Sequence, residues 1–332
     1  MDKHLGEIKA VKIMQESQNK IGKTGVQTFL NNRSRDYAQK FKDFQCNAEK
    51  SFILENTCLN IKATMRTLLH VGFGHSGTKS LQLNIFKKTP AIFYVGIPLT
   101  HYGGILSNIK YLEDEDYSAP QMLQEVENEI FKKRAKNQLI VISDETLVEQ
   151  PLIKNTPAMM PTGLIAKRLS ELFDKADILF TIRNQFSYIS SAYRVLKENR
   201  ATDGSVTDEF GIWFKGQFSQ TRNLFLRNID YLKTINIYKK YFPSSKITLL
   251  PLEIITLEGF NAYKKELQKI LYDVDLSSFK QESYPIQNKS IKQKSFIDEE
   301  TKAKIKEICG ASNRELQKTV GLPLEKYGYP IV

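Results

Sequence analysis

A glycine-rich stretch is the first part of the sequence whose residue types could do chemistry. It reads LHVGFGHSGTKSL over residues 69–81, between a predicted strand and a predicted helix. In that setting, backbone N–H groups and a helix N-terminus form a cradle for an anion. Gly72, Gly74 and Gly77 allow tight turns and the close approach of a phosphate. The stretch fits the Walker A pattern poorly, because Thr78 stands where the lysine belongs and Lys79 comes one place late. It therefore predicts an anion-binding turn and disfavours a nucleotide kinase or triphosphatase.

A cation and a hydroxyl stand at the end of another predicted strand. Arg183 ends the apolar run 177–183, at the carboxyl edge where open α/β sheets bind ligands. Ser191 comes eight residues later, on a predicted helix. An arginine fork and a helix hydroxyl can jointly hold a phosphate. Two anion sites on one sheet edge predict a ligand with two separated phosphate-like groups.

The elements that must position these residues alternate along the chain. From residue 66 onward, short β-branched apolar runs alternate with amphipathic helical patterns, which is typical of βαβ units in a parallel sheet. The predicted strands are 67–73, 91–97, 139–143, 177–183 and 246–252. We therefore expect an α/β, P-loop-type three-layer fold with a central parallel sheet of about five strands flanked by helices. This domain is expected to cover residues 63–332, after a partly helical or mobile extension over residues 1–62.

The two motifs together resemble those of the sulfotransferases that use 3′-phosphoadenosine 5′-phosphosulfate (PAPS). In that family a turn of the form G-x-x-K-[ST]-G-T-[TS]-[ST]-L follows the first strand. A later strand ends in R-N-P, and a helical serine follows the arginine at the spacing seen here. This sequence has GFGHSGTKSL and FTIRNQFSYISSAYR in that order, about a hundred residues apart. LPLEII near residue 251 and the tail NRELQKTVGLPLEKYGYP also resemble the family, especially its bacterial carbohydrate-type members.

The resemblance implies which residues bind the donor. Arg183 and Ser191 would take the 3′-phosphate, and a late loop at Asn288 and Lys289 would close over the nucleotide. The turn would hold the 5′-phosphosulfate through Gly74, His75, Ser76, Gly77, Thr78, Lys79 and Ser80. PAPS is then the expected co-substrate, adenosine 3′,5′-bisphosphate is the product, and no metal is expected.

Two positions depart from the family pattern. Gln185 replaces the proline after Arg-Asn, which leaves the spacing of Arg183 and Ser191 intact. His75 stands where the family has its catalytic lysine. That lysine stabilises the oxygen that bridges sulfur and phosphorus, where negative charge grows as the bond breaks. Three alternatives follow: His75 donates to this oxygen through its own N–H, Lys79 reaches the same oxygens, or the enzyme is weakened or inactive.

Sulfuryl transfer also needs a base, because the acceptor hydroxyl loses its proton as it attacks. Glu145 follows the third predicted strand and is the best positional match to the family's catalytic residue near that edge. Its neighbour Asp144 is expected to orient or cap instead. His101, shortly after the second predicted strand, is the rival base.

The composition bounds the other possibilities. The chain has 332 residues, of which 41% are hydrophobic and 26% charged, so it can bury a real core. Its net charge of +11 suits nucleic acid, a membrane surface or a small polyanion. The three cysteines are too far apart to indicate a disulfide framework or a zinc site. No run reaches the ~18 apolar residues of a membrane span, and no secretory signal pattern is present. The expected localisation is the cytoplasm, with peripheral membrane contact left open.

The sequence therefore predicts an enzyme, a PAPS-dependent sulfotransferase. Its acceptor is expected to be a small molecule or a saccharide, with the hydroxyl of a saccharide or glycolipid favoured. Two alternatives remain: a P-loop nucleotide-dependent kinase, and a basic nucleic-acid-binding protein with a vestigial P-loop. The second lacks both an RNP-like aromatic set and zinc-finger spacing, so no nucleic-acid partner is expected. The oligomeric state is left open.

Overall fold

A computed structural model gives the structure of residues 66–96, 106–148, 159–200, 209–218, 229–280 and 297–332. The predictions made for the extension 1–62, for His101, and for the loop at Asn288 and Lys289 lie outside these described residues.

Five strands form one parallel sheet in the order β2-β3-β1-β4-β5. Their bounds are Thr67–His70 (β1), Ile92–Val95 (β2), Leu139–Ser143 (β3), Asp177–Ile182 (β4) and Ile247–Pro251 (β5). The prediction of an α/β fold with a five-stranded parallel sheet is confirmed, with most strands slightly shorter than predicted. Because β1 lies between β3 and β4, the segments that follow these three strands emerge side by side at one edge.

The sheet is covered by helices, as its apolar strands require. β1 and β3 are buried along their whole length, which is expected for strands of a parallel sheet packed on both faces. Met122, Val126 and Ile130, which follow one another at intervals of four residues, are buried in the core. Among the described residues, no helix has the length and apolar character needed to cross a membrane.

The helices follow the strands in a regular alternation. Two π-helical turns lie at Gln82–Phe86 and Glu127–Phe131. Short 3₁₀ turns lie at Glu145–Leu147 and Leu324–Tyr327. The α-helices are Thr78–Leu81 (α1), Ser107–Tyr111 (α2), Ala119–Val126 (α3), Thr162–Leu172 (α4), Gln185–Arg200 (α5), Phe210–Phe218 (α6), Tyr231–Tyr241 (α7), Glu253–Leu257 (α8), Phe260–Ile270 (α9) and Glu299–Val320 (α10).

The last helix brings the chain end back toward the carboxyl edge of the sheet. Asp298 begins α10 by accepting a hydrogen bond from the Thr301 N–H at 2.8 Å, and Gly321 ends it with φ of 68°, as in a left-handed C-cap. Asn313 of α10 donates to the Pro330 carbonyl at 2.8 Å. The tail beyond α10 is thus fixed next to the segments that follow β4 and β5.

Candidate active site

The turn after β1 is held in place by β4. The Val71 N–H donates to the Leu179 carbonyl at 3.0 Å, and the Phe73 N–H donates to the Thr181 carbonyl at 3.1 Å. The backbone then enters the left-handed region at His75 (φ 60°) and at Gly77 (φ 87°), directly before α1. A side chain at Gly77 would strain that conformation, so the turn requires a glycine there.

The hydroxyls of the turn lie beneath it. Ser76 and Thr78 are buried, and the Ser76 hydroxyl lies 2.9 Å from Oγ1 of Thr181 on β4. Thr78 Oγ1 lies 3.3 Å from the same atom and 3.3 Å from the Phe73 carbonyl. An anion above this turn would therefore meet backbone N–H groups, since the first N–H groups of a helix have no intrahelical acceptor.

Two of the other residues predicted for the turn differ in exposure. Lys79 is exposed, whereas Ser80 is buried. Lys79 is thus the cation of the turn that is open to solvent.

Gly72 has a different role from the one its motif suggests. A Cβ placed on Gly72 would lie 1.9 Å from Oγ1 of Thr181 and 2.8 Å from Oγ1 of Thr78. The missing side chain leaves the room that these buried hydroxyls occupy. The motif predicted that Gly72 allows a phosphate to approach the backbone. In the structure, the space beside Gly72 is filled by side chains instead.

Gly72→Ala is expected to destabilise the protein by about 1–3 kcal/mol, as for overpacking of a filled core. Chemical denaturation of the variant and wild type measures this difference. Gly211→Ala is the matched control, because a Cβ at Gly211 of α6 meets nothing within 4 Å. Equal stability losses for both variants would contradict this account of Gly72.

Arg183 lies at the end of β4 and reaches across to the turn. Its Nη1 donates to the His75 carbonyl at 3.1 Å, and the Tyr231 hydroxyl donates to the Arg183 carbonyl at 2.5 Å. Ser191 is buried on α5, two turns into the helix that follows Arg183. The two predicted anion-binding motifs, far apart in sequence, thus meet at one hydrogen bond.

The residue after Arg183 is anchored by a buried carboxylate. Asn184 accepts the Ser187 N–H at 2.9 Å and so caps α5. Glu253 accepts both the backbone and the side-chain N–H of Asn184, each at 3.0 Å, and also the Tyr329 hydroxyl at 3.2 Å. Burial raises the pKa of Glu253, and hydrogen bonds from Asn184 and the charge of Arg183 oppose that shift. This glutamate belongs to the sequence motif LPLEII, which resembles the family but did not indicate a role for the residue.

Gln185, the residue that replaces the family proline, is fully buried and paired. Its Nε2 donates to Oδ1 of Asn313 at 3.0 Å and to the Ile229 carbonyl at 3.1 Å. Asn313 Nδ2 returns a bond to Gln185 Oε1 at 3.1 Å. The substitution therefore links α5 to α10 and leaves Arg183 and Ser191 in place.

The charges around His75 are positive. Burial, and after it the charges of Arg183, Arg194 and Lys79, together lower its pKa to about 4. The imidazole, which packs edge-on against Tyr188, is therefore neutral at neutral pH. Arg194 was not predicted. It lies three residues after Ser191 on α5, a spacing that places both residues on one helix face. This spacing could have indicated Arg194 from the sequence.

On the other side of the turn, Asp144 and Glu145 have separate roles. Lys110 Nζ lies 2.8 Å from Asp144 Oδ2, and both side chains are almost fully buried, at 1% and 3% exposure. Asp144 Oδ1 accepts the Thr146 N–H at 2.8 Å and the Thr146 hydroxyl at 2.6 Å. Asp144 is therefore occupied as an ion-pair partner and cap.

Glu145 is the carboxylate that stays partly exposed at this edge. Gln82 Nε2 approaches its Oε2 at 3.5 Å. The pKa of the nearby Tyr94 rises to about 12, first through burial and then through the charge of Glu145. Tyr94 therefore keeps its proton next to this carboxylate.

His70, which is buried, and His75, which is half-buried, give the stability a defined pH dependence. Burial lowers the pKa of His70 to about 3, and that of His75 is about 4, against an ordinary value of 6.5. Below about pH 6.5 the unfolded chain binds protons that the folded protein does not, so acidification favours unfolding, by up to about 1.4 kcal/mol per pH unit for each histidine. Above that pH both states are neutral at these positions.

We expect the free energy of unfolding to fall between about pH 7 and pH 5, measured by chemical denaturation at several pH values. His70→Gln should show a shallower fall, because one of the two protons is then no longer taken up on unfolding. A stability that is constant over this range would contradict the expectation.

Comparisons with known proteins bear on this arrangement. No family model and no curated protein sequence matches the chain. Among the solved structures to which the chain is similar is a sulfotransferase from Alicyclobacillus acidocaldarius, with a TM-score of 0.51 and 13% sequence identity. The alignment covers 79% of this chain and 98% of that one. At this identity the likeness shows the fold, so the chain has a sulfotransferase-like α/β fold.

Proposed function

We propose that this protein is a sulfotransferase that moves a sulfuryl group from PAPS to an acceptor hydroxyl. The observation that carries the proposal is the hydrogen bond from Arg183 to the His75 carbonyl, at 3.1 Å. It joins a cation at the end of β4 to the glycine-rich turn after β1. A donor with a 3′-phosphate and a 5′-phosphosulfate needs two anion sites on one sheet edge. The sulfotransferase-like fold supports the same reading.

The charges of the site fit such a donor. Arg183, Arg194 and Lys79 all act on His75, and Arg183 and Arg194 also act unfavourably on each other. The carboxylate that acts on Arg183 is Glu253, which is already bonded by Asn184 and Tyr329. An anionic ligand would relieve this like-charge repulsion, so electrostatics favour its binding.

The donor would supply the sulfuryl group, and the chain's own residues would bind and orient it. Arg183 and Ser191 would hold the 3′-phosphate, and the N–H groups of the turn would hold the phosphosulfate. His75 is neutral near pH 7 because of its low pKa of about 4, so it would donate through an uncharged N–H. Lys79 would supply the positive charge that stabilises the leaving oxygen.

Glu145 would take the proton of the attacking hydroxyl. It is better suited than Asp144, whose oxygens are engaged by Lys110 and Thr146. The acceptor that we propose is a hydroxyl of a saccharide, a glycolipid or a small molecule, sulfated in the cytoplasm and without a nucleic-acid partner. The resemblance of the motifs to those of bacterial carbohydrate-type members supports this class.

Titration with adenosine 3′,5′-bisphosphate in the presence of EDTA tests the proposal. We expect saturable binding by calorimetry and a rise in melting temperature, because a ligand that binds the folded state stabilises it. A parallel titration with ATP and Mg²⁺ tests the kinase alternative. A titration with a DNA fragment at several salt concentrations tests the nucleic-acid-binding alternative. Stabilisation by ATP with Mg²⁺ but not by the bisphosphate would overturn the proposal.

A further inference from the structure

A chain of buried polar side chains runs beneath the anion-binding turn, and the proposed function does not use it. Its centre is His70, the last residue of β1, which is fully buried. His70 Nε2 lies 3.2 Å from Oγ1 of Thr181 on β4, and Nδ1 lies 2.7 Å from Oγ of Ser143 on β3. Both ring nitrogens are thus engaged by hydroxyls of the two neighbouring strands.

On the β4 side, the chain reaches the turn. Thr181 Oγ1 is 2.9 Å from the Ser76 hydroxyl and 3.3 Å from that of Thr78. Ser76 and Thr78 also bond the Phe73 carbonyl, which ends the chain as an acceptor. Hydrogen bonds beneath the turn therefore hold it at residues 73, 76 and 78.

On the β3 side, the chain reaches Glu145. Gln82 Nε2 donates to Ser143 Oγ at 3.0 Å and lies 3.4 Å from the Ser143 carbonyl and 3.5 Å from Glu145 Oε2. The Ser143 carbonyl and the Glu145 carboxylate can only accept, so the Gln82 side chain turns its amide nitrogen, and not its oxygen, toward them. Gln82 thus connects His70, through Ser143, to the proposed base.

The proton positions along the chain follow from this geometry. Ser143 Oγ accepts from Gln82, so its own hydrogen is free to be donated to His70 Nδ1. The hydrogen of the neutral imidazole then lies on Nε2 and is donated to Thr181. Burial, which lowers the pKa of His70 to about 3, keeps the ring in this uncharged form. Every donor in the chain has an acceptor, as buried polar groups require.

We propose that His70 is a positioning residue that fixes the anion-binding turn and Glu145 relative to each other. Both ends of the proposed reaction, the leaving phosphate and the attacking hydroxyl, would depend on one imidazole ring. Breaking the chain at His70 would leave the hydrogen of the buried Ser143 hydroxyl without its acceptor, and would remove from Thr181 the donor on the His70 side. A buried polar group left without its partner costs more than the net value of one hydrogen bond. This inference rests on the proposed function, because it assigns Glu145 and the turn their roles from it.

Three substitutions separate the two halves of the chain. His70→Gln can place an amide near the position of Nε2, and so keep the bond to Thr181. His70→Asn can place an amide near Nδ1, and so keep the bond to Ser143. His70→Phe keeps the ring, which packs edge-on against Phe86, and loses both bonds.

We expect His70→Phe and His70→Asn to weaken adenosine 3′,5′-bisphosphate binding by about 10-fold or more, and His70→Gln by less than about 3-fold. The reason is that the Thr181 bond is the one that holds the turn. Calorimetry gives the dissociation constants, and melting temperatures are recorded beside them. A merely structural role predicts instead that affinity falls in step with melting temperature in all three variants. That result would overturn the proposal.

A ¹⁵N-histidine NMR spectrum tests the chain without a ligand. The protein has four histidines, so His70→Gln assigns the His70 signals by their loss. We expect the Nε2–H tautomer throughout the range from about pH 5 to 8. We also expect the ring-nitrogen shifts to move in Glu145→Gln and stay unchanged in Glu129→Gln, a surface control. An Nδ1–H tautomer, an imidazolium, or no response to Glu145→Gln would overturn the proposal.

The two proposals fail differently. If wild-type protein binds no bisphosphate, the proposed function is wrong. The NMR spectrum still tests whether His70 links the turn to residue 145, because that test needs no ligand.

Discussion

Arg183→Ala is expected to weaken the binding of adenosine 3′,5′-bisphosphate by about 30- to 1,000-fold, which corresponds to about 2–4 kcal/mol. Arg183 is largely enclosed at the end of β4 and donates to the His75 carbonyl. Its loss would remove both the charge that we propose for the 3′-phosphate and the hydrogen bond to the turn. Charge-assisted bonds from arginine to phosphate are among the strongest in proteins, partly because they are bidentate.

Two controls sharpen the Arg183 prediction. Arg183→Lys keeps the charge but not the fork, so it should recover only part of the affinity. Arg314→Ala removes an exposed arginine of α10 and should leave the affinity unchanged. Calorimetry at fixed ionic strength provides the constants, since exposed charges are screened by salt. If Arg183→Ala and Arg314→Ala bind the bisphosphate as tightly as wild type, Arg183 is not a ligand and the donor assignment fails.

The sheet could be predicted from the sequence because its signals are local. Each of the five strands is a continuous apolar run, and the motifs at Gly72–Gly77 and at Arg183 follow two of them. Parallel strands place their carboxyl ends at one edge of the sheet, so the proximity of these two motifs could be predicted from the sequence. The strand order, with β1 between β3 and β4, then makes that meeting a direct contact.

What could not be predicted depends on partners far away in the chain. Ser76 and Thr78 point beneath the turn because Thr181, about a hundred residues later, lies there to bond them. Gly72 must lack a side chain because the Thr181 hydroxyl occupies the space where its Cβ would lie. No local sequence pattern shows this requirement. Sequence patterns predict which backbone a segment adopts, whereas the direction of a buried hydroxyl depends on which acceptor the fold brings beside it.

The separation of Asp144 from Glu145 was equally inaccessible. The two carboxylates are adjacent, and both follow a predicted strand. Only the position of Lys110, which forms a buried ion pair with Asp144, decides that one is structural. Lysine is almost never fully buried unless it is paired, but the sequence does not say which lysines are buried.

Glu145→Gln is expected to lower sulfuryl transfer by about 100- to 10,000-fold, the usual contribution of a general base. Its affinity for adenosine 3′,5′-bisphosphate should stay within about 3-fold of wild type, since the glutamine keeps the side-chain size and Glu145 is not among the residues proposed to hold the phosphates. The measurement follows radiolabelled sulfur from the donor into a panel of saccharide and small-molecule acceptors. Glu129→Gln is the matched control, because Glu129, on the π-helical turn Glu127–Phe131, forms an exposed pair with Lys133.

Asp144→Asn should behave in the opposite way. It would leave the charge of Lys110 buried without its partner, which typically costs about 3–5 kcal/mol. The variant should therefore lose stability in chemical denaturation, whereas Glu145→Gln should not. A His101→Gln variant tested in parallel examines the rival base. If Glu145→Gln transfers sulfur at the wild-type rate and His101→Gln does not, the base is His101, and Glu145 is only the end of the polar chain from His70.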